Sequence, residues 1–402
     1  MDVPLPIDQI TLGEPLPVNV WDARGRLLLR KGSVIRDEQQ RDWLRRNAPM
    51  IRREDHEAWH FHYTAALDRA LRSNRPLQDI ANVGYPMQFD APAEPDEDER
   101  PLTETLTDLH ATLTLLLHHG EQAQDFAGRF VHVDRRLQRL LRQRPDDVLF
   151  VLVHMLSERS LGYSASHALT SATVADLVAQ TLAWPAAVRD AVRRAALSMN
   201  VGMARLHDEL ARQDAPLHPE QRRVIHEHPV RGEAILRRVG VHDTLWLDLV
   251  RDHHEVHGGT GYPRGLVEVG EPAQLLRLAD IYVARLSPRQ HRFGLPALRA
   301  ARDVYLDASG MPTPLGAALV RTLGLYVPGS YVELASGEQA VVARRGRRAT
   351  TPLAFALTGR DGLPRGEPTL RDTADPTYEV RRSLAPQDVR VRLDPDRMLM
   401  RL

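Results

Sequence analysis

Residues from about 102 to 321 repeat apolar side chains at helical spacing almost without interruption, and nothing else in the chain constrains its fold as strongly. Leu109, Leu113, Leu116 and Leu117 recur on one face, as do Leu137, Leu140 and Leu141, the stripe that an α-helix buries against a core. The pattern breaks at Arg144-Pro145, Trp184-Pro185, a loop over 214–219, Gly240 and a glycine-rich loop over 258–265, where prolines, glycines and polar clusters stop helices. These breaks predict a mainly α central domain, a helical bundle over 102–324.

The flanks read differently. Leu16 to Trp21 and Leu27 to Arg30 suit two short strands around the turn Asp22-Ala23-Arg24-Gly25, and Asp37 suits the cap of a short helix, so 1–48 is expected to be a small α+β module. Over 49–101 the sequence predicts a helix at 55–72 and an acidic, Pro-rich linker at 91–99. After Gly324 short strands are expected at 331–334, 340–343 and 378–380, giving a small β-rich C-terminal module over 325–402. Its run Arg344-Arg345-Gly346-Arg347-Arg348 is read as an exposed hairpin turn and not as a nucleic-acid patch.

Composition narrows the function classes. The 53 basic and 53 acidic residues cancel, which argues against a general pull toward nucleic acid or an anionic membrane. Lys31 is the single lysine, so lysine chemistry in the central domain is excluded, and the absence of cysteine excludes disulfides, thiolate metal sites and a thiol nucleophile. No apolar run approaches the roughly 20 residues of a membrane span, and the first residues carry no basic and apolar leader pattern. A soluble protein of a bacterial cytoplasm is expected.

The chemistry concentrates in Asp252-His253-His254-Glu255-Val256-His257-Gly258-Gly259-Thr260-Gly261-Tyr262-Pro263. Paired imidazoles suit a transition-metal centre, and the glycines beside them let backbone approach a ligand. The stretch meets the pattern HHExxxGxGYP in full and resembles the signature of the HD-GYP family, metal-dependent phosphodiesterases that open the bacterial messenger cyclic di-GMP. The resemblance implies metal ligands at His167 in Ser166-His167-Ala168, at His228 in the His-Pro-x-x-Gly segment His228-Pro229-Val230-Arg231-Gly232, at His253 and His254, and at Asp280 in Ala279-Asp280-Ile281. It implies ligand contacts at Gly261, Tyr262 and Pro263, and at Arg289 and Arg292, since Ser287-Pro288-Arg289-Gln290-His291-Arg292 is similar to the family's Ser-x-Arg-Pro-Tyr-Arg.

The departure lies at the residues that name the family. Where its members carry a His-Asp pair this chain has Met199-Asn200, and Met203 stands where they carry a lysine placed to meet phosphate. Methionine is a poor ligand for a hard centre, and asparagine cannot supply the charge with which aspartate bridges two cations. Tyr163 stands one helical turn before His167, where some members have glutamate. A literal His207-Asp208 lies in register with the family's Leu-Pro-Asp-x-Leu segment; it is set aside as the missing pair, because the eight-residue shift would turn the histidine away from the other ligands. The resemblance with this departure implies a degenerate, catalytically impaired member acting as a cyclic di-GMP receptor or as a scaffold. It would hold one divalent metal (iron, manganese, zinc or nickel) or none, and could meet a diguanylate cyclase or another signalling protein through the Gly-Tyr-Pro loop. The alternative is an active phosphodiesterase that uses the remaining histidines and aspartate.

Overall fold

The computed structural model describes residues 2–52 except 8–9, 11, 23–26 and 30–31, then 56, 59, and 100–402 except 159–160 and 308. The turn expected at 23–25, nearly all of the helix expected at 55–72 and the acidic linker at 91–99 lie outside these residues. The chain divides into two compact units, Met1–Arg100 and Pro101–Leu402.

In the first unit β1 (Asp2–Pro4), β2 (Val20–Trp21), β3 (Leu27–Leu29) and β4 (Met50–Arg52) form an antiparallel sheet in the order β1-β4-β2-β3. Helix α1 (Glu38–Arg46) begins at Asp37, whose carboxylate accepts from the Gln40 amide at 2.8 Å. Leu16, Val20, Ile35, Leu44 and Ile51 make the core of this unit. The three-residue strands β1 and β4 have no sequence signal of their own and exist through their pairing, Val3 opposite Ile51.

The second unit opens with eleven helices among the described residues: α2 (Leu102–His119), α3 (Phe126–Gln143), α4 (Pro145–Met155), α5 (Tyr163–Thr181), α6 (Ala186–Ser198), α7 (Ala204–Arg212), α8 (Pro219–Arg238), α9 (Thr244–Asp252), α10 (Glu271–Leu286), α11 (Ala297–Tyr305) and α12 (Pro314–Leu323). Their ends fall at the prolines, glycines and polar loops that break the apolar pattern. Helix α5 is buried on every side from Ser164 to Ala179. Its alanines, serines and threonines show no single apolar stripe, as suits a helix surrounded by others, here α2, α6, α10 and α12. A buried guanidinium ties the surrounding layer to it: Arg193 donates to Asp134 at 2.7 Å, Asp176 at 3.2 Å and Asp190 at 2.9 Å, joining α6, α3 and α5.

Strands β5 (Tyr331–Leu334), β6 (Gln339–Arg344), β7 (Leu353–Thr358), β8 (Pro364–Asp372) and β9 (Val380–Leu384) follow, antiparallel in the order β8-β7-β6-β5-β9. One face of this sheet, with Val341, Phe355 and Leu384, shares the core of the helices, while Val332, Leu334 and Val342 form a cluster on the other. β8 escapes sequence reading because it is an edge strand, where prolines and charges are tolerated. The arginine run is less free than expected: Arg345 pairs with Asp146 and donates to the Thr322 carbonyl, and Arg344 reaches Asp147 at 3.4 Å, so two of its four guanidiniums fasten the sheet to the start of α4. Among the described residues no helix is long and apolar enough to cross a membrane.

Candidate metal centre

Pro229 lies inside α8 and has no amide hydrogen, so the carbonyl four residues earlier, that of Ile225, is left without its helical donor. The imidazole of His228 takes that place, its Nδ1 lying 2.6 Å from the Ile225 oxygen. His253 closes α9, where the last carbonyls are also unbonded, and its Nδ1 lies 2.7 Å from the Val250 oxygen. A carbonyl only accepts, so both Nδ1 atoms carry the hydrogen and both neutral rings present a bare Nε2. These two Nε2 atoms face each other at 3.1 Å in a buried site. A shared proton would relieve the lone-pair repulsion, but burial, reinforced by His253, pushes His228 down to about 3. A cation relieves it at neutral pH, and the separation lets both nitrogens reach one ion over bonds of about 2.1 Å.

His254 completes the set. Nitrogen atoms of His228, His253 and His254 lie within 4.8 Å of one another, the single such group of three among the described residues. Burial, with His253 beside it, pushes His254 down to about 2, and burial lowers His253 as well. The site therefore offers three neutral imidazoles, the form that binds metal.

The other two expected ligands meet each other. His167 Nε2 lies 2.8 Å from an oxygen of Asp280, while its buried Nδ1 has no partner. Burial alone would raise the Asp280 carboxyl, but the hydrogen bond from His167 and the nearby imidazoles of His254 and His253 hold it well below the usual range. Asp280 is thus an anion within electrostatic reach of all three clustered histidines.

The turn carrying Met199 and Asn200 packs directly on this centre. A Cβ on Gly202 would collide with the His228 carbonyl and the Gly232 amide, which accounts for glycine at 202. Met199 is fully buried in the apolar core, and Asn200 is buried with its amide nitrogen unpartnered. Met203 is partly exposed at the start of α7.

His207, four residues on, does not turn away as the register argument predicts. Its ring stands 5.4 Å from that of His167 and 4.7 Å from that of Tyr163, both edge-on, and its buried Nδ1 has no partner. The irregular turn ahead of α7 redirects the helix, so counting residues along a straight one gave the wrong direction. Asp208 orients the loop before α5, accepting from the Ser164 amide at 2.6 Å and lying 2.7 Å from His118.

The loop after His254 is held by its own acids. Buried Glu255 accepts from the amides of Arg264 at 2.6 Å and Leu266 at 2.9 Å, so this carboxylate of the signature shapes the loop. Gly258 and Gly259 adopt φ of 93° and 81°, and a Cβ on Gly261 would run into the backbone of Glu255 and Val256. Pro263 follows a cis peptide bond, and the Tyr262 ring stacks on His254 at 4.6 Å. Of the two arginines, Arg289 donates to the Tyr163 hydroxyl at 2.9 Å, bordering a cavity of about 140 Å³ lined also by Ser166, Asp208 and Arg212 but by none of the three clustered histidines. Arg292 donates to the Ala284 carbonyl near the end of α10.

Residues 150–307 match a family model described as HD domain. The chain is 27% identical over 234 residues to the cyclic di-GMP phosphodiesterase PA4108 of Pseudomonas aeruginosa, covering 58% of this chain and 56% of that protein. It is 30% identical over 175 residues to the 3'3'-cGAMP-specific phosphodiesterase 3 of Vibrio cholerae, covering 43% and 38%. The helical domain belongs to the HD-GYP family. A third relative is the cyclic di-GMP phosphodiesterase response regulator RpfG of Xanthomonas campestris, 27% identical over 195 residues, covering 46% of this chain and 50% of that protein. This HD-GYP chain therefore spans roughly half or less of the length of these relatives. Among solved structures, Bd1817, a HDG"Y"P protein from Bdellovibrio bacteriovorus, matches with a TM-score of 0.44 at 16% identity, over 79% of this chain and 98% of that one. Of the ligands that the resemblance implies, the structure gathers His228, His253 and His254 in one group and pairs His167 with Asp280. His226, on Tyr262, and His207, beside His167, stand outside the signature, as does Arg277; His226 and Arg277 had a positional signal, two residues before His228 and three before Asp280.

Proposed function

We propose that this protein binds one divalent cation through His228, His253 and His254, with Asp280 as the nearby anion, and recognises a cyclic dinucleotide, cyclic di-GMP first, while hydrolysing it poorly. The observation that carries this reading is the pair of bare Nε2 atoms 3.1 Å apart, built to share a cation, next to a turn whose residue 200 is a neutral asparagine. A bound iron, manganese, zinc or nickel ion would supply a Lewis-acid contact for a phosphate oxygen. Without a carboxylate at Asn200 a second cation lacks the anion that would hold it beside the first. On this reading the chain's own groups do the recognising: Tyr262 walls one side of the centre, the Gly258-Gly259 backbone leaves room for a ligand, and the guanidiniums of Arg289, at the neighbouring Tyr163 cavity, and of Arg292 suit phosphate.

On the same reading the chain comprises an α+β module at 1–48, a helix and linker at 49–101, the HD-GYP-type domain at 102–324 and a β-rich module at 325–402. The half-buried Gly-Tyr-Pro loop would be the contact for a diguanylate cyclase or another signalling protein in a bacterial cytoplasm. The alternative, an active phosphodiesterase, draws support from the names of the relatives. Elemental analysis of the purified protein with cyclic di-GMP binding and turnover assays in added manganese or iron decides between them. One equivalent of metal, binding and turnover at the background rate are expected. Brisk turnover abolished by His253→Ala would establish the enzyme instead.

A further inference from the structure

The centre has an outer wall that the family signature does not account for. His226 is exposed on α8, and its ring lies parallel to that of Tyr262, 4.5 Å away with 20° between the planes. Tyr262 in turn lies 4.6 Å from His254 at 26°, so three rings form a stack that runs from a histidine of the centre out to solvent. Both faces of Tyr262 are covered by imidazoles, and the outer face of His226 is the one left for a ligand ring. Arg277 sits three residues before Asp280 on α10, one turn away on the same face. Its charge bears on both His254 and Tyr262, so it lies within electrostatic reach of the stack, and among the described residues no ion pair engages it. A partly buried guanidinium without an ion-pair partner is poised for an external anion.

We infer that His226 and Arg277 form a nucleotide subsite at the rim of the metal centre, a purine base stacking on the free face of His226 while Arg277 takes the phosphate. This rests on the cyclic-dinucleotide reading above and names where that ligand is held. The arrangement suits a base joined to a phosphodiester more than a bare phosphate, because the ring stack ends on His254 and the charge of Arg277 reaches the same histidine.

Calorimetry on the full chain loaded with manganese, with cyclic di-GMP, GMP and inorganic phosphate as separate probes, tests it. His226→Ala should weaken cyclic di-GMP and GMP roughly tenfold and leave phosphate unchanged, since base stacking is what it removes. His226→Phe, which keeps a ring, should stay within about threefold of the parent. Arg277→Ala should weaken cyclic di-GMP and phosphate alike by roughly tenfold or more. Metal content should be unaltered in all three. Parent-like affinities in both alanine variants would overturn the subsite while leaving the receptor reading intact. Loss of metal in His226→Ala would also overturn it, by showing that the residue serves the centre and not the ligand. Failure of the parent protein to bind any of the nucleotides would sink the subsite and the receptor reading together.

Discussion

The two halves of the histidine cluster are built from the same residue types and end in opposite states. In one half His228 and His253 spend Nδ1 on backbone carbonyls and leave Nε2 bare, so on the proposed reading this half is completed by a cation. In the other half His167 directs Nε2 at Asp280 and each quiets the other without an ion. The difference lies in what the backbone supplies. A proline inside α8 and the open end of α9 provide free carbonyls that fix the ring orientation, whereas no carbonyl holds Nδ1 of His167 or His207. A metal site is made by the groups that orient its ligands as much as by the ligands themselves.

If the halves are unequal, their mutants should be too. His253→Ala removes one bare nitrogen and leaves His228 without its counterpart, so metal affinity should fall at least about a hundredfold and the protein should purify nearly free of metal. His167→Ala should keep close to the parent content. Equal losses in the two variants, read by elemental analysis, would erase the distinction. The reverse experiment repairs the weaker half: Met199→His with Asn200→Asp should raise bound metal from one equivalent to two and bring turnover above background. Because Met199 is fully buried among apolar side chains, the metal-free double variant should be less stable by about 1–3 kcal/mol. A variant that folds and still holds one equivalent would mean that the second half is closed for reasons beyond the missing pair.

Much of this was legible beforehand, and the exceptions have physical causes. Helix ends in the central domain could be read because Pro145 and Pro185 stand where one helix gives way to the next and Gly240 follows a helix end. The signature histidines could be read because each sits in a local motif, and His228-Pro229 even encodes its own orientation through the carbonyl that proline frees. His207 could not, since its direction depends on the turn at 199–203 and not on its spacing along a helix. β8 could not because an edge strand is defined by its neighbour, and the stack of His226 on Tyr262 because it joins α8 to a distant loop.

Acid should expose the difference between the halves more gently. For His228 and His254, folded values of about 3 and 2 lie below the ordinary imidazole value, so the unfolded chain binds protons that the fold refuses. Stability is then unaffected above pH 6.5 or so and declines as pH falls toward 3, each histidine contributing up to about 1.4 kcal/mol per unit. Asp280, held below its ordinary value, adds to the same trend only below about pH 4. Denaturant midpoints of metal-free protein between pH 7 and 4 should therefore fall steadily, and His254→Gln should flatten the slope by about one proton's worth. A midpoint independent of pH over that range would mean that the clustered imidazoles are not held neutral by burial.

The smallest expected effect tests the coupling between the quiet half and the arginine that borders it. Tyr163 stacks on His167 at 5.6 Å and accepts from Arg289 through its hydroxyl, so one ring links the His167–Asp280 pair to a guanidinium suited to phosphate. Tyr163→Phe keeps the ring and removes only the acceptor, which should change stability by about 1 kcal/mol or less. Metal content should not move, because on the proposed reading the bare-nitrogen half holds the ion. Nucleotide affinity should fall only a few-fold, by roughly the worth of one hydrogen bond that orients Arg289. If instead Tyr163→Phe strips the metal, the His167–Asp280 half must be a direct holder of the ion, and the two halves would have to be read as one centre.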